Sequence, residues 1–227
     1  MRKQNLIAAS VFAVSATLSM QASASNKVCV FDILGAQGDV TGMMKDYVLA
    51  AKAMGGKLEL KTYTDERTAA EDFKAGQCDA VMLPGLRGRQ FNDFTGSLDS
   101  LGSIPSNKVM EKALATLANP ALASKMVQGK YEVAGIAPAG SAYIFVKDRS
   151  INSVEKLAGK KIAVFDYDKS QAKMVQKIGA QPVSSDITNF AAKFNNGAVD
   201  VVAAPALAYK PLEMYKGLGK NGAIVRF

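Results

Sequence analysis

Phe73-Lys74-Ala75-Gly76-Gln77-Cys78-Asp79-Ala80-Val81-Met82-Leu83-Pro84-Gly85-Leu86 returns later in the chain as Phe194-Asn195-Asn196-Gly197-Ala198-Val199-Asp200-Val201-Val202-Ala203-Ala204-Pro205-Ala206-Leu207. Phe, Gly, Asp, Val, Pro and Leu hold the same relative places in both copies. Upstream of each copy an expected strand ends in the same tripeptide, Val30-Phe31-Asp32 and Val164-Phe165-Asp166. Two similar α/β units in one chain predict two lobes, and two lobes predict a cleft between them.

Working outward from the repeat, the first unit opens with a strand over 27–31 and a loop over 32–38. Asp39 then reads as the N-cap of a helix carrying Met43, Met44, Tyr47, Val48, Ala51 and Met54 at helical spacing, with Met43 and Met44 expected in the core. Gly55-Gly56 ends that helix. Residues 57–63 alternate like a strand, Thr64-Asp65 caps a short helix, and the mostly apolar run 78–83 reads as a parallel strand covered on both faces. The middle is mostly helical: a helix over 107–117 breaks at Asn119-Pro120, where proline begins a new helix but cannot continue the old one. Strands are expected over 131–137 and 142–146, with 143–147 as the crossing into the second lobe.

In that lobe Asn152 caps a short helix, 161–165 is a strand and 168–178 a helix. Pro182-Val183 marks a short strand, Asp186 caps a helix to Asn196, and 199–203 is a buried strand. Strand, helix, strand, helix, strand in each half gives an α/β class with two parallel or mixed sheets flanked by helices. Lobe 1 is expected over 25–145 and lobe 2 over 146–227.

Residues 1–24 read as a cleaved secretory signal: Arg2 and Lys3 lead, an uncharged apolar and small-residue run follows from Leu6 to Met20, and Ala22-Ser23-Ala24 fits the small-x-small cleavage pattern. That run is short for a membrane span. Removing Arg2 and Lys3 from the 28 basic residues leaves 26 against 20 acidic ones, a net charge of +6. The basic residues are scattered, without the basic block or aromatic interleaving of a nucleic-acid surface, so the charge serves solubility or mild attraction of anions. No histidine and only two cysteines, Cys29 and Cys78, leave no material for a zinc or thiol–imidazole site. Neither a metal nor a cofactor is expected. Both cysteines fall in the exported part, and a disulfide between them is feasible if their strands are neighbours in the sheet.

Three runs carry a family resemblance: Ser153-Val154-Glu155-Lys156-Leu157-Ala158-Gly159-Lys160-Lys161-Ile162, then Lys177-Ile178-Gly179-Ala180-Gln181-Pro182-Val183, then Phe194 to Pro205. In this order they resemble the second lobe of a periplasmic solute-binding protein, above all the DctP-like component of tripartite (TRAP) transporters. Tyr63-Thr64-Asp65-Glu66-Arg67 through Arg87-Gly88-Arg89-Gln90-Phe91 is similar to a DctP-related group of solute-binding proteins. The resemblance implies a type II-like two-lobed fold, periplasmic location, monomeric action, a small-molecule solute and delivery to a membrane permease. It departs at Ala163, where such proteins carry an arginine that grips the ligand carboxylate, so dicarboxylate specificity does not carry over. It also implies further helices after Phe227, so the second lobe is expected to be incomplete.

Ligands of open α/β sheets bind beyond the carboxyl ends of the strands. The loops there offer Asp32, Gln37, Arg67, Arg87, Arg89, Asp166, Tyr167 and Tyr209 as candidate ligand contacts. An arginine fork holds a carboxylate or sulfonate through paired hydrogen bonds, although each of these arginines also fits a surface ion pair. Asp32 and Asp166 end equivalent strands and suit either a ligand hydroxyl or amine, or a cap on the next turn. Gln37 lies in a loop that leads into a helix N-terminus, a place that favours an anion. Tyr167 and Tyr209 suit stacking on a ligand or packing against the lobe. No nucleophile–base pair or carboxylate pair facing one bond is evident, so no catalytic residue is assigned. The expected function is capture of a small anionic organic solute. An envelope or efflux-complex interaction module on the same fold, and a periplasmic lyase or dehydratase, stay open beside it.

Overall fold

The computed structural model describes residues 25–100 and 102–225. The expected signal segment, and Arg226 with Phe227, lie outside the described residues.

Lobe 1 is built by β1 (Asn26–Phe31), α1 (Asp39–Ala53), β2 (Leu58–Tyr63), α2 (Glu66–Lys74) and β3 (Ala80–Met82). Its three strands are all parallel, in the order β2-β1-β3. The short helices α3 (Gly85–Gly88) and α4 (Asp93–Leu98) follow, then α5 (Asn107–Leu117) and a two-stranded hairpin of β4 (Val127–Gln128) and β5 (Tyr131–Glu132). Phe73, Phe91 and Tyr131 pack with centroids 5.0–5.6 Å apart and tie that hairpin to lobe 1.

Lobe 2 contains β6 (Ala142–Val146), β7 (Lys161–Phe165), α6 (Lys169–Lys177), β8 (Gln181–Ser185), α7 (Phe190–Asn195), β9 (Val201–Pro205), α8 (Tyr215–Leu218) and β10 (Ala223–Val225). The five-stranded sheet runs β10-β6-β9-β7-β8, parallel among β7, β8 and β9 and antiparallel where β6 meets β9 and β10. The order β8-β7-β9 reproduces β2-β1-β3, so the sequence repeat is a repeat of the β-α-β-α-β unit itself. β6, expected to carry the crossing, is a full member of the second sheet: Phe145 and Val146 are buried in its core. The chain therefore crosses ahead of β6, after β5 has ended at Glu132 rather than running to 137.

The repeated residues do the same work twice. Gly76 and Gly197 take positive φ (73° and 83°) just past α2 and α7, and their amides bond back to the Phe73 and Phe194 carbonyls. The Asp79 and Asp200 carboxylates then accept the amides of Lys27 and Lys161 at 2.7 and 2.8 Å, the first turn of the neighbouring strand in each lobe. Backbone bonds from Asp79 N to Lys27 O and Asp200 N to Lys161 O close the same ring.

Several local expectations change: Val154 rather than Asn152 precedes the short turn at 155–157, and Asn189 rather than Asp186 precedes α7. Asp39 opens α1 but does not cap it. Gly38 is the cap residue, and the buried Asp32 reaches over to accept the Thr41 and Leu34 amides at 2.8 and 2.9 Å. A Cβ at Gly38 would sit 1.9 Å from Asp32 Oδ1, so glycine there makes the arrangement possible. Met43 lies outside the core at 42% exposure, as do Tyr47 and Met54, whereas Met44, Val48 and Ala51 are half-buried and Thr41 is the buried residue of the helix. And β3, expected to be covered on both faces, is a half-exposed edge strand, whereas its counterpart β9 lies between β6 and β7 and is buried.

Cys29, in the middle of β1, is joined by a disulfide to Cys78 in the turn that enters β3, with Cα atoms 5.8 Å apart. Both lie in the small core that also holds Tyr63 and Ala69. The bridge closes a separation of 49 residues. A loop of that length removes about 4 kcal/mol of unfolded-chain freedom. The Cys29→Ser/Cys78→Ser variant is expected to lose about 2–4 kcal/mol of stability, measured by urea denaturation of the oxidised wild type against the variant. An unchanged midpoint would show that the bridge is energetically idle.

Candidate functional site

The carboxyl ends of β2, β3 and β7 bring their loops together between the lobes. Asp65 caps α2 by accepting the Arg67 amide at 2.8 Å, which places Glu66 and Arg67 in the first helical turn. Glu66, Ala69 and Ala70 then share the buried face of α2. Pro84 ends the path out of β3 and α3 carries Arg87, with Arg89 one residue beyond the helix. Lobe 2 contributes Asp166, Tyr167 and Asp168 from the loop after β7.

At the centre Arg87 donates from Nε and Nη2 to one oxygen of Glu66, at 3.1 and 3.0 Å, with both side chains almost fully buried. The Tyr167 ring covers the guanidinium, its centroid 3.7 Å from Arg87 Cζ, in a cation–π contact across the lobe boundary. Phe165 stacks on the far side of Tyr167 at 5.4 Å and 8°. Nearer solvent, Arg67 Nη2 meets Asp166 Oδ2 at 2.5 Å, and Arg89 Nη2 lies 3.4 Å from Asp168 Oδ1. That same Asp168 oxygen accepts the Ser170 and Gln171 amides at 3.1 Å each, capping α6. The Arg89 stem crosses Gly96 of α4 so closely that a Cβ there would fall 2.0 Å from Arg89 Cδ. Leu86, Arg87, Arg89, Gln90 and Tyr167 line a cavity of about 270 Å³.

Burial dominates the titration of the central carboxylate. Desolvation raises the Glu66 pKa, against the opposing pull of Arg87's charge and hydrogen bond and of the Tyr167 hydroxyl. Its second oxygen, Oε2, is buried without a hydrogen-bond partner. Burial likewise raises the Tyr167 phenol, helped by the Glu66 charge. Asp186, at the end of β8, goes the other way. Burial works against it, but hydrogen bonds from Thr188 and Asn189, with Arg67's charge, hold it below the ordinary carboxylate range.

Of the candidates read from sequence, Arg67, Arg87, Arg89, Asp166 and Tyr167 come together in this cleft. Asp32 is turned onto the backbone of its own loop, as described above. Gln37 sits exposed in the single helical turn after β1. Tyr209 packs in lobe 2, stacked 6.2 Å from Phe145 and edge-on to Tyr215. Ala163 is buried in the lobe 2 core, so the cations of the cleft come from lobe 1. Sequence reasoning passed over Glu66 and Gly96. Glu66 was findable, since it stands at i, i+3, i+4 and i+7 with Ala69, Ala70 and Phe73 on the inner stripe of α2. Among the described residues no group of three or more His, Cys, Asp or Glu could hold a metal ion, and no helix is long and apolar enough to cross a membrane.

Two α/β lobes meeting at their strand ends, with charged and aromatic side chains converging between them, define a two-lobed binding-protein class. Solved structures of that class superpose well. A TRAP periplasmic solute-binding protein from Sulfitobacter sp. NAS-14.1 with bound β-D-galacturonate matches at TM-score 0.69 and 16% identity, over 84% of this chain and 65% of that one. One from Desulfovibrio salexigens with bound orotic acid matches at TM-score 0.67 and 16% identity, over 85% and 63%. At this identity they establish the fold. The chain belongs to the family described as "Solute-binding protein AdeT 1/2", whose model matches residues 49–227. It is 54% identical over 198 residues to the Acinetobacter baumannii protein named "Probable solute-binding protein AdeT1", spanning 87% of this chain and 65% of that relative's length. The family and the structural neighbours are solute-binding proteins, not enzymes.

The raised pKa of Glu66 sets a sign. The folded state holds this proton more tightly than the unfolded one, so Glu66 lowers stability as pH rises from its ordinary value of 4.5 through the raised folded value. Thermal melts of wild type and Glu66→Gln between pH 4 and pH 8 are expected to differ most in favour of wild type at the acid end, with the gap shrinking or reversing toward neutrality. A gap that widens with rising pH would mean that the Arg87 pairing outweighs burial.

Proposed function

We propose that this protein captures a small organic acid in the interlobe cleft, gripping its carboxylate with Arg67, Arg87 and Arg89 of lobe 1 and covering it with Asp166 and Tyr167 of lobe 2. The observation that carries this reading is the convergence of three guanidinium groups on the Asp166–Tyr167–Asp168 loop, beside a cavity of about 270 Å³ lined by Arg87, Arg89 and Tyr167. That volume is at the small end of ligand pockets, which suits a compact acid. Structural relatives carry orotic acid and galacturonate, both acids. In the periplasm, closure of the lobes by a hinge would bury the solute and present a closed form to a membrane permease. The protein acts as a monomer in this scheme, with Glu66 and Tyr167 holding the Arg87 fork flat and pre-oriented.

A thermal-shift screen of the protein against organic acids, amino acids and sugars tests it. A ligand at a hundredfold excess over its dissociation constant should add about 2.7 kcal/mol of stability. Arg67→Gln is expected to abolish that response while changing the unliganded protein by no more than about 1 kcal/mol, since its ion pair is half exposed. No shift with any compound, together with co-purification of a membrane protein, would favour an interaction module on this fold instead.

A further inference from the structure

Each guanidinium in the cleft already has a carboxylate. Arg87 holds Glu66, Arg67 holds Asp166 and Arg89 approaches Asp168, while Asp186 adds a further negative charge near Arg67. With three guanidiniums against four carboxylates, the site carries no excess of positive charge, in a protein whose overall charge is +8. Among the described residues, a simple anion entering such a cleft meets no guanidinium without a carboxylate beside it. An anion that takes the Arg67 Nη2 displaces Asp166 and leaves that carboxylate without its cation, which costs the pairing of that group.

The pairs are not equally easy to open. Arg87 and Glu66 are 9% and 1% exposed in their side chains and locked under the Tyr167 ring. Arg67 and Asp166 are 50% and 36% exposed and come from opposite lobes. The exposed, interlobe pair is the one a solute can exchange with, because water already screens it and lobe opening already separates it.

We infer that the solute is a small zwitterion, whose carboxylate takes Arg67 while its ammonium or quaternary nitrogen takes Asp166, so that one interlobe ion pair is replaced by two and no charge is stranded. This rests on the solute-binding reading and narrows it from organic acids to the amino-acid and betaine class. Specificity then comes from repulsion as much as attraction: Asp166 rejects an acid that lacks the positive group.

The test uses sets in which a zwitterion stands beside compounds that lack one of its charged groups: proline, cyclopentanecarboxylate and pyrrolidine; β-alanine, butyrate and propylamine; and a panel of amino acids and betaines beside their des-amino acids. Binding is measured by calorimetry on wild type, Asp166→Asn and Asp166→Glu. At least one zwitterion is expected to bind the wild type about tenfold or more tighter than its des-amino acid, a difference of about 1.4 kcal/mol. Asp166→Asn should close that gap by weakening the zwitterion and strengthening the anion, and Asp166→Glu should partly keep it. Des-amino acids that bind the wild type as tightly as zwitterions, or a gap that persists in Asp166→Asn, overturn the assignment while leaving solute binding intact. If no compound of any charge class binds, the solute-binding reading falls with it.

Discussion

A single carboxylate–amide contact, made once in each lobe, sets the geometry on which the cleft depends. Asp79 and Asp200 each leave a glycine-terminated helix and accept the amide of the first lysine in the adjacent strand. A parallel sheet has no hairpin to set its register, so the start of one strand must be pinned to another by side chains or packing. With Lys27 tied to Asp79 and Lys161 to Asp200, β1 aligns with β3 and β7 with β9. The loops at their far ends then emerge at fixed heights. Arg87 follows one of those ends and Tyr167 another, and their 3.7 Å contact depends on both registers being correct. Repetition of the Asp at equivalent places is thus a register device used twice.

From that frame the electrostatics divide by lobe. Lobe 1 supplies the guanidiniums, and lobe 2 supplies two carboxylates and the aromatic face. Among the described residues the buried pair, Arg87 with Glu66, is internal to lobe 1. A buried charge pair is costly to assemble and costlier to break, so it stays put whether or not the lobes move. Of the pairs that span the boundary, Arg89 with the buried Asp168 is long at 3.4 Å, and Arg67 with Asp166 is exposed. Ion pairs of that kind contribute about 0–1 kcal/mol each, enough to orient two lobes and too little to lock them.

The repeat and the alternation of strand and helix within each unit were legible in the sequence, because each rests on local pattern. What was not legible depends on neighbours distant in the chain. Runs 78–83 and 199–203 are both apolar, yet β3 is an edge and β9 is central, since β6 and β10 join only the second sheet. Helical spacing placed α1 but not its inner face: Met43, Tyr47 and Met54 are exposed, while Met44 is half-buried. Asp32 and Asp166 end equivalent strands with equal promise. Gly38 lets Asp32 fold onto its own loop, while no such glycine follows Asp166, whose carboxylate is left for Arg67.

That last difference explains how one structural unit yields two unlike halves. After β1 the aspartate satisfies amides at a helix start, and its side chain is buried and committed. After β7 the capping duty passes two residues on, to Asp168, which takes the Ser170 and Gln171 amides. Asp166 is thereby released from backbone work. A cap shifted by two positions converts a structural carboxylate into one facing the opposite lobe, and the intervening residue, Tyr167, is carried over Arg87 by the same shift. The asymmetry of the cleft follows from where each loop places its cap, with the three-strand unit common to both lobes left alike.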